Sequence, residues 1–413
     1  MLLYIDPGTG SMLFTILIGL LGVLRYLFKS WFVKLRFFFN GGKKTEGNTD
    51  KLPLVIFADD KRYWNIFEPI CRELAQRNFP VTYMTASEDD PVLKAELTLL
   101  QPQFIGSDNR AFAKLNFLNA TMVLSTTPGL EVYQWKRSPE VDYYIHIFHA
   151  PNDITLYRMF GIDYYDALLV SGDYQRLQVR ALEKLRNLPE KEIVSVGIPY
   201  MDEMRKRLEQ SGVHTSSVRT VLLAPSWGPS AILSRYGEKI IQVLLATGYH
   251  IVIRPHPQSF KSEIELMDRL QRAYPNSEQL EWNRDNDNFE VLRRSDILIS
   301  DFSGVMFDFA LVFDKPLIYT DTEFDKGPYD AWWLDEELWT FKILPSLGER
   351  LCAENMESLK QLIDVCIEDE RYAQGREQAR KETWENQQLG AKKAADYLTG
   401  KYRELENRKE ANA

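Results

Sequence analysis

Downstream of residue 53, short apolar runs rich in β-branched and aromatic residues alternate with segments of helical length. The runs lie at 54–57, 81–84, 122–125, 143–148, 167–170, 193–196, 221–224, 250–253, 296–299 and 317–319. Such alternation is typical of parallel sheets covered by helices. A polar, aperiodic stretch at 210–219 interrupts it. The pattern predicts an α/β protein of two Rossmann-like domains facing a cleft, at 53–212 and 213–400, followed by a polar tail at 401–413.

The N-terminal segment has a different pattern. Residues 11–24 carry no charge, and apolar residues dominate the stretch from Met12 to Phe28, about 17 positions in all. This length lies near the lower limit for spanning a bilayer. A second stretch at 31–39 combines aromatic and basic residues, as interfacial helices do. We predict a membrane anchor at 1–39, either a transmembrane or an interfacial helix, and a flexible linker at 40–52.

Charge is divided unevenly along the chain. The whole chain has a net charge of −9, whereas its first 44 residues contain six basic residues and one acidic residue. Because the basic residues follow the apolar run, the positive-inside rule places both domains on the cytoplasmic side of the cell's inner (plasma) membrane. The basic segment is expected to contact membrane lipids. The acidic remainder argues against nucleic acid as a partner.

Candidate chemistry is sought where strands end, because ligands of open parallel sheets bind beyond the carboxyl ends of the strands. Polar groups follow three predicted strands: His149, the pair Arg254 and His256, and the run 300–304. The chain lacks GxGxxG and GxxxxGK[ST] loops, which argues against a dinucleotide dehydrogenase and a P-loop NTPase. Three scattered cysteines and a polar Asp-Asn-Asp run at 285–287 do not predict a metal site, so neither a metal nor another cofactor is expected.

Two of these groups contain histidine. His149 is the better candidate for proton transfer, since it lies at a strand end, and a neutral imidazole can take a proton from an attacking hydroxyl. His146 lies three residues earlier, inside the apolar run, and is predicted to be a satisfied core histidine. Arg254 and His256 flank Pro255 and can both donate to phosphate oxygens. For Arg254, pairing with a buried carboxylate remains an alternative.

The run Ser300-Asp301-Phe302-Ser303-Gly304 precedes an apolar segment at 305–313 that is predicted to be helical. Ser303 or Asp301 is expected to cap the amino end of this helix. The same helix end favours the binding of a phosphate or a ribose. Ser303 would donate a hydrogen bond from its hydroxyl, and Gly304 would let the backbone come close to the ligand. Capping and ligand binding are compatible.

Several motifs together make residues 54–398 resemble the CDP-glycerol glycerophosphotransferase family of teichoic-acid polymerases and primases. The family's closing helix is matched by Gly390–Leu398. Its other motifs correspond here, in order, to His149-Ala150-Pro151, Ala224-Pro225-Ser226-Trp227, Arg254-Pro255-His256-Pro257, Ser300-Asp301-Phe302-Ser303-Gly304 and Lys315-Pro316-Leu317-Ile318. The chain departs from the family at Ala150 in place of Gly, at Gly304 in place of Ser, and at Tyr200 in place of Arg. These departures leave the identities of donor and acceptor open.

The resemblance implies a GT-B-like fold and a phosphotransferase. Its members transfer an alditol phosphate, such as glycerol phosphate, from a CDP-alcohol donor to a hydroxyl of a lipid-linked or membrane-associated polymer acceptor in surface-polymer synthesis. It implies catalytic roles for His149, His256 and Asp301. Donor binding would fall to Arg254, Ser226, Ser300, Ser303 and Gly304. Two alternatives remain open: a GT-B glycosyltransferase that uses a sugar nucleotide, and an inactive membrane-bound scaffold for polymer assembly.

Overall fold

The computed structural model describes residues 51–157, 159–212, 218–285, 287–321, 326–327, 333 and 337–412. The membrane anchor predicted at 1–39 and nearly all of the predicted linker lie outside these residues. Among the residues described, no helix is both long and apolar enough to cross a membrane. The boundary predicted between residues 212 and 213 adjoins a segment that is also outside the described part.

The first half contains a seven-stranded, all-parallel sheet. Its strands are β1 Leu52–Ala58, β2 Val81–Thr85, β3 Leu100–Phe104, β4 Ala120–Ser125, β5 Val141–Ile147, β6 Ala167–Val170 and β7 Glu192–Ser195. Its helices are α1 Trp64–Gln76, α2 Asn109–Leu115, α3 Asp173–Arg186 and α4 Pro199–Ser211, with short 3-10 turns at Lys61–Tyr63, Pro91–Lys94 and Ile154–Leu156.

The second half contains a six-stranded, all-parallel sheet. Its strands are β8 Thr220–Leu223, β9 His250–Ile253, β10 Leu280–Trp282, β11 Ile297–Ser300, β12 Leu317–Thr320 and β13 Gly348–Leu351. Its helices are α5 Ile232–Ala246, α6 Ser259–Ser262, α7 Ile264–Ala273, α8 Phe289–Arg294, α9 Val305–Phe307, α10 Trp339–Leu347, α11 Leu359–Glu368 and α12 Arg371–Thr383. A further 3-10 turn lies at Met356–Ser358, and the final helix, α13, is Gly390–Asn412.

In both sheets the strand order changes direction beside the first strand. The first sheet runs β3-β2-β1-β4-β5-β6-β7, and the second runs β10-β9-β8-β11-β12-β13. The loops that follow β1 and β4 therefore diverge, as do those that follow β8 and β11. A crevice opens at the carboxyl ends of such strands, and ligands of doubly wound sheets bind there.

The central strands explain why the apolar pattern predicted the sheets. Every residue of β4, β6, β8 and β11 is buried, because helices cover both faces of each sheet. The strands β3, β10 and β13 were not predicted. Each pairs with a single neighbour at a sheet edge, where a continuous apolar run is not required. The predicted α/β class with two parallel sheets is confirmed.

The helix predicted at 305–313 differs from expectation. Only Val305–Phe307 is α-helical, and Asp308–Val312 continues as a π-helical turn. The residue at the cap position is Gly304, and neither Ser303 nor Asp301 caps this helix through its side chain. The capping prediction is therefore wrong, and the carboxylate of Asp301 has other partners, described below.

The chain returns to the first sheet at its end. Ala394, Ala395 and Leu398 of α13 lie in the same buried cluster as side chains of β1 and α1. Arg77, directly after α1, also donates to Asp396 across 2.8 Å. Residues 401–412, predicted to be a polar tail, continue this helix. The end of the chain thus packs on the first half, because α13 supplies an apolar stripe that the first sheet buries.

Candidate active site

A cavity of about 380 Å³ opens between the two halves. The first half lines it with Tyr63, Thr126, Pro128, His149, Asn152, Asp153, Leu156 and Tyr157, and the second half lines it with Phe302, Gly304, Phe307, Thr340 and Phe341. Most of these residues follow the carboxyl ends of β1, β4, β5 and β11, and Thr340 and Phe341 belong to α10. The predicted cleft between two domains is therefore present, and His149 lies in it.

His149 is held by two neighbours in this cavity. Its Nδ1 lies 2.7 Å from the hydroxyl of Thr126, and its ring lies 5.1 Å from the ring of Tyr63. Burial, and secondarily the charge of Arg62, lower the pKa of His149 to about 4. The imidazole is therefore neutral near pH 7. When Nδ1–H donates to Thr126, Nε2 carries the lone pair that can accept a proton.

His146 is buried within the core of the first half, as predicted. Its ring packs against the rings of Phe148, Tyr157 and Tyr165. Neither ring nitrogen has a hydrogen-bond partner in the described structure, so the prediction that this core histidine is satisfied is wrong. Burial lowers the pKa of His146 to about 3, and the imidazole is neutral near pH 7.

Asp153 joins the His149 loop to the second half. Its carboxylate accepts hydrogen bonds from the backbone N–H groups of Trp339 and Thr340, at 3.0 and 2.9 Å, and from the Thr340 hydroxyl at 2.6 Å. These groups lie at the amino end of α10, where backbone donors lack partners within the helix. Gln178 of α3 donates to the same carboxylate. A residue of the first half thus caps a helix of the second.

Ser300 and Asp301 are turned into the protein. The Ser300 hydroxyl donates to the carbonyl of Ala224 across 2.7 Å. The Asp301 carboxylate accepts hydrogen bonds from the backbone N–H groups of Ser226 and Ile232, at 2.9 and 3.1 Å, and of Phe302, the next residue. Both side chains are buried. They shape the loop between β8 and α5, whereas the sequence predicted a catalytic role for Asp301 and donor contact for Ser300.

That loop presents Trp227 at the surface. Ser226 is buried, whereas Trp227 is 47% exposed. Besides Asp301, Glu263 secures the loop by accepting from the backbone of Gly228 and from the Ser234 hydroxyl. The Trp227 ring lies 6.4 Å from the His256 ring, with an interplanar angle of 34°. An exposed aromatic face therefore lies beside one of the predicted phosphate-binding residues.

Arg254 and His256 lie on the loop after β9. One terminal nitrogen of Arg254 donates to the Asn283 side chain and the other to the Asp285 carbonyl, so an amide and a backbone oxygen replace the carboxylate considered from sequence. His256 accepts the Gln258 N–H at Nδ1, across 3.1 Å, which leaves Nε2 for a ligand. Burial, and then the charge of Arg62, lower the pKa of His256.

Gly304 and Ser303 lie at the start of α9. Gly304 lines the cavity, and a Cβ built on it would meet no atom within 4 Å. Ser303 is half-buried beside it. The space over Gly304 is therefore open to a ligand at the amino end of the helical segment. Among the described residues, no group of three or more His, Cys, Asp or Glu side chains could hold a metal ion.

Comparison with known proteins identifies the family. The sequence model of the family described as CDP-Glycerol:Poly(glycerophosphate) glycerophosphotransferase matches residues 158–393, more than half of the chain. The chain belongs to this family. The matched segment of the glycerophosphotransferase family contains Arg254, His256 and the run 300–304, whereas His149 lies just before it.

A curated relative shares part of this segment. The teichoic acid poly(glycerol phosphate) polymerase of Bacillus spizizenii is 30% identical over 145 residues, which cover 33% of this chain and 35% of that polymerase. The chain therefore matches about a third of the length of this relative. The similarity supports the family assignment made from the strand-end motifs, which is confirmed.

Solved structures confirm the GT-B-like fold. The wall teichoic acid polymerase TagF is 17% identical and covers 85% of this chain and 89% of its own, with a TM-score of 0.56. A UDP-GlcNAc 2-epimerase of Methanocaldococcus jannaschii is 14% identical and covers 84% and 99%, with a TM-score of 0.55. At these identities the likeness concerns the fold alone.

Two loops that adjoin the cavity were not predicted from the sequence, the loop after β1 and the loop after β4. Asp59, Asp60 and Arg62 follow β1, and Thr126 follows β4. Phe57 of β1 pairs with Ser125 of β4, and Ser125 pairs with His146 of β5, so these loops and His149 follow adjacent strand ends. The rule that selected His149, polar residues directly after strands, applies to both loops and could have found them.

Proposed function

We propose that this member of the glycerophosphotransferase family transfers an alditol phosphate from a CDP-alcohol to a hydroxyl of a membrane-associated or lipid-linked acceptor. The placement of His149 carries the proposal: a neutral imidazole, held at Nδ1 by Thr126, lines a cavity that both halves form. Family membership supports the donor class. A structure of a TagF variant soaked with CDPG is also similar in fold, with a TM-score of 0.54.

In the proposed reaction, His149 acts as the general base. The acceptor hydroxyl attacks the β-phosphorus of the CDP-alcohol, and its proton passes to Nε2 of His149. A new phosphorus–oxygen bond forms to the acceptor, while the bond from the β-phosphorus to the bridging oxygen breaks. CMP leaves with the electron pair of that bond. Positioning and electrostatic stabilisation then supply most of the rate enhancement, as in other phosphoryl transfers.

The second half would hold the donor. His256 offers Nε2 to a phosphate oxygen, and Gly304 leaves room for a phosphate at the amino end of α9. The exposed face of Trp227 would stack on the cytosine base. Asp301 and Ser300 act through the loop that they hold, so in this proposal they are positioning residues.

The N-terminal sequence supports the proposed acceptor class and the proposed location. The apolar and basic residues of 1–39 would anchor the protein to the cytoplasmic side of the inner (plasma) membrane. The active cavity would then lie close to a lipid-linked polymer, whose terminal hydroxyl is the nucleophile. Surface-polymer synthesis of the teichoic-acid type is the process that this arrangement would serve.

The test compares the full-length chain with His149→Ala in detergent or vesicles that contain a lipid-linked glycerol phosphate acceptor. CMP release from CDP-glycerol or CDP-ribitol should fall at least about a thousandfold in the variant, while donor binding by calorimetry changes little. His250→Gln, which alters a histidine at the start of β9, is the matched control and should retain activity.

Three outcomes would overturn the proposal. Near-normal turnover by His149→Ala would remove the proposed base. Release of UDP or CMP from a sugar nucleotide, without turnover of any CDP-alcohol, would establish a glycosyltransferase instead. Binding of nucleotides without turnover on lipid-linked acceptors would point to a scaffold.

A further inference from the structure

Arg62 belongs to the loop after β1, at the point where the strand order of the first sheet changes direction. The loop continues from Ala58 through two aspartates into the 3-10 turn Lys61–Tyr63. Tyr63 lines the cavity and packs its ring against His149. The turn that carries Arg62 is therefore anchored directly beside the proposed base.

Asp60 orients the Arg62 side chain. Its carboxylate accepts from the Arg62 backbone N–H and from Nε, each at 2.9 Å, and from Nη2 at 3.2 Å. The Arg62 side chain is 70% exposed, and its remaining nitrogen, Nη1, has no hydrogen-bond partner among the described residues. An exposed ion pair of this kind contributes little to stability. Its consequence is a guanidinium held in one direction with a free donor.

Arg62 lies at the edge of the cleft between the halves, because the next residue, Tyr63, lines the cavity. The charge of Arg62 lowers the pKa of His149 in the first half, second to the effect of burial. It also lowers the pKa of His256 in the second half, again second to burial. A cation of the first half is therefore close enough to act on the proposed base and on a predicted phosphate-binding residue across the cleft.

The donor diphosphate requires positive charge at this place. Each terminal nitrogen of Arg254 donates one N–H, to Asn283 and to Asp285, and Arg254 keeps further N–H donors and its charge. His149 and His256 both have lowered pKa values and are neutral near pH 7. Two negative charges would thus meet neutral imidazoles and a single cation of the second half, Arg254. Arg62 would add a cation from the first half, and its Nη1 has no hydrogen-bond partner among the described residues.

We propose that Arg62 binds the diphosphate of the nucleotide donor across the cleft and stabilises the charge that develops on the departing CMP phosphate. The proposal rests on the proposed function and adds a residue of the first half to the donor site. An arginine contact to a phosphate oxygen is a charge-assisted hydrogen bond and strengthens as the leaving phosphate gains charge. Because the donor is held mainly by the second half, this contact would link donor binding to the approach of the first half.

The test uses the full-length chain with Arg62→Ala and Arg62→Lys, and Lys61→Ala as the matched control. Lys61 is the preceding residue, pairs with Asp89 and loses the same charge when replaced. Arg62→Ala should weaken CDP-glycerol binding about tenfold to a hundredfold, leave cytidine binding unchanged and lower kcat/KM further. Arg62→Ala should also move the acid limb of the kcat/KM profile to higher pH. Arg62→Lys should restore the affinity for CDP-glycerol and the position of the acid limb in part.

Unchanged CDP-glycerol affinity and an unchanged acid limb in Arg62→Ala would overturn the inference. Equal loss of cytidine and CDP-glycerol binding would also overturn it, because the residue would then support the fold of the site. Failure of the unmodified chain to bind or turn over any CDP-alcohol would reject the proposed function itself. Normal turnover by the unmodified chain and by Arg62→Ala would reject only the role of Arg62.

Discussion

The chemistry proposed for His149 depends on its immediate surroundings. Thr126 contacts Nδ1, Tyr63 covers the ring, and burial keeps the imidazole neutral. A free histidine would be half protonated near pH 6.5 and would lose basic form in mildly acidic solution. Here the neutral form persists to a lower pH, at the cost of a weaker base. Precise orientation and the exclusion of water must therefore compensate for the low basicity of the His149 imidazole.

This environment predicts the pH dependence of turnover. The base is competent when unprotonated, and its pKa of about 4 means that protonation removes activity only in acidic solution. The acid limb of kcat/KM should therefore lie near pH 4. Initial rates of CMP release between pH 3 and pH 8, with protein stability checked at each pH, would measure it. A limb near pH 6.5 would show that the imidazole is solvated in the working enzyme.

At the scale of elements, polar side chains at strand ends act mainly on neighbouring loops and helices. Asp301, after β11, holds the loop between β8 and α5. Lys315, before β12, donates to the last carbonyl groups of α8, and burial lowers its pKa to about 8. Asp153 caps α10 from the other half. Each contact satisfies backbone groups that would otherwise lack partners inside the protein.

Replacing Asp153 tests the link between the halves. Asp153→Ala should leave the backbone N–H groups of Trp339 and Thr340 without acceptors and reduce the free energy of unfolding by roughly 2–3 kcal/mol. Because the same loop carries His149, kcat should fall as well. Urea unfolding and CMP-release rates would measure both effects. Asp173→Ala, at an exposed residue of α3, is the control and should change stability little; an equal effect of both variants would contradict the link.

At the scale of the whole molecule, one chain builds two parallel sheets and then returns to the first. Interleaved apolar faces of β-strands and helices form buried clusters on both sides of each sheet. Asp202 of α4 accepts from Trp384 and from the backbone of Gln388 and Gly390, which leads α13 back to the first sheet. Burial raises the pKa of Asp202 to about 6. The last helix is thus part of the fold of the first half.

Global stability on acidification should report on His146. The folded protein keeps His146 neutral down to about pH 3, whereas the unfolded chain binds a proton near pH 6.5. Between these values the unfolded state binds more protons, so stability falls as pH falls, by up to roughly 1.4 kcal/mol per pH unit from this residue. His146→Leu should remove that part of the slope. Urea unfolding at several pH values from 7 to 4.5 would compare the two proteins, and parallel curves would contradict the prediction.

The amino-acid sequence by itself determined the α/β class and the central strands, because strands buried on both faces must be apolar throughout. It also located His149, Arg254, His256 and the run 300–304, since ligand-binding residues of such sheets follow the strands. Among the described strands, three of the four edge strands, β3, β10 and β13, escaped prediction, because a strand with one neighbour need not be apolar throughout. β3 is an example, since its residues are largely exposed.

Only the tertiary structure decided which strand-end residues reach the cavity. A carboxylate that follows a strand can face a ligand, or it can accept hydrogen bonds from the free N–H groups of an adjacent loop. The local sequence pattern is the same in both cases. Asp301 meets three such N–H groups and turns inward, whereas His149 meets a hydroxyl and an open cavity. The same applies to Arg62, whose charge acts across the cleft because the fold brings the two halves together. Contacts between segments far apart in the chain made these choices, and no local pattern of residues encodes them.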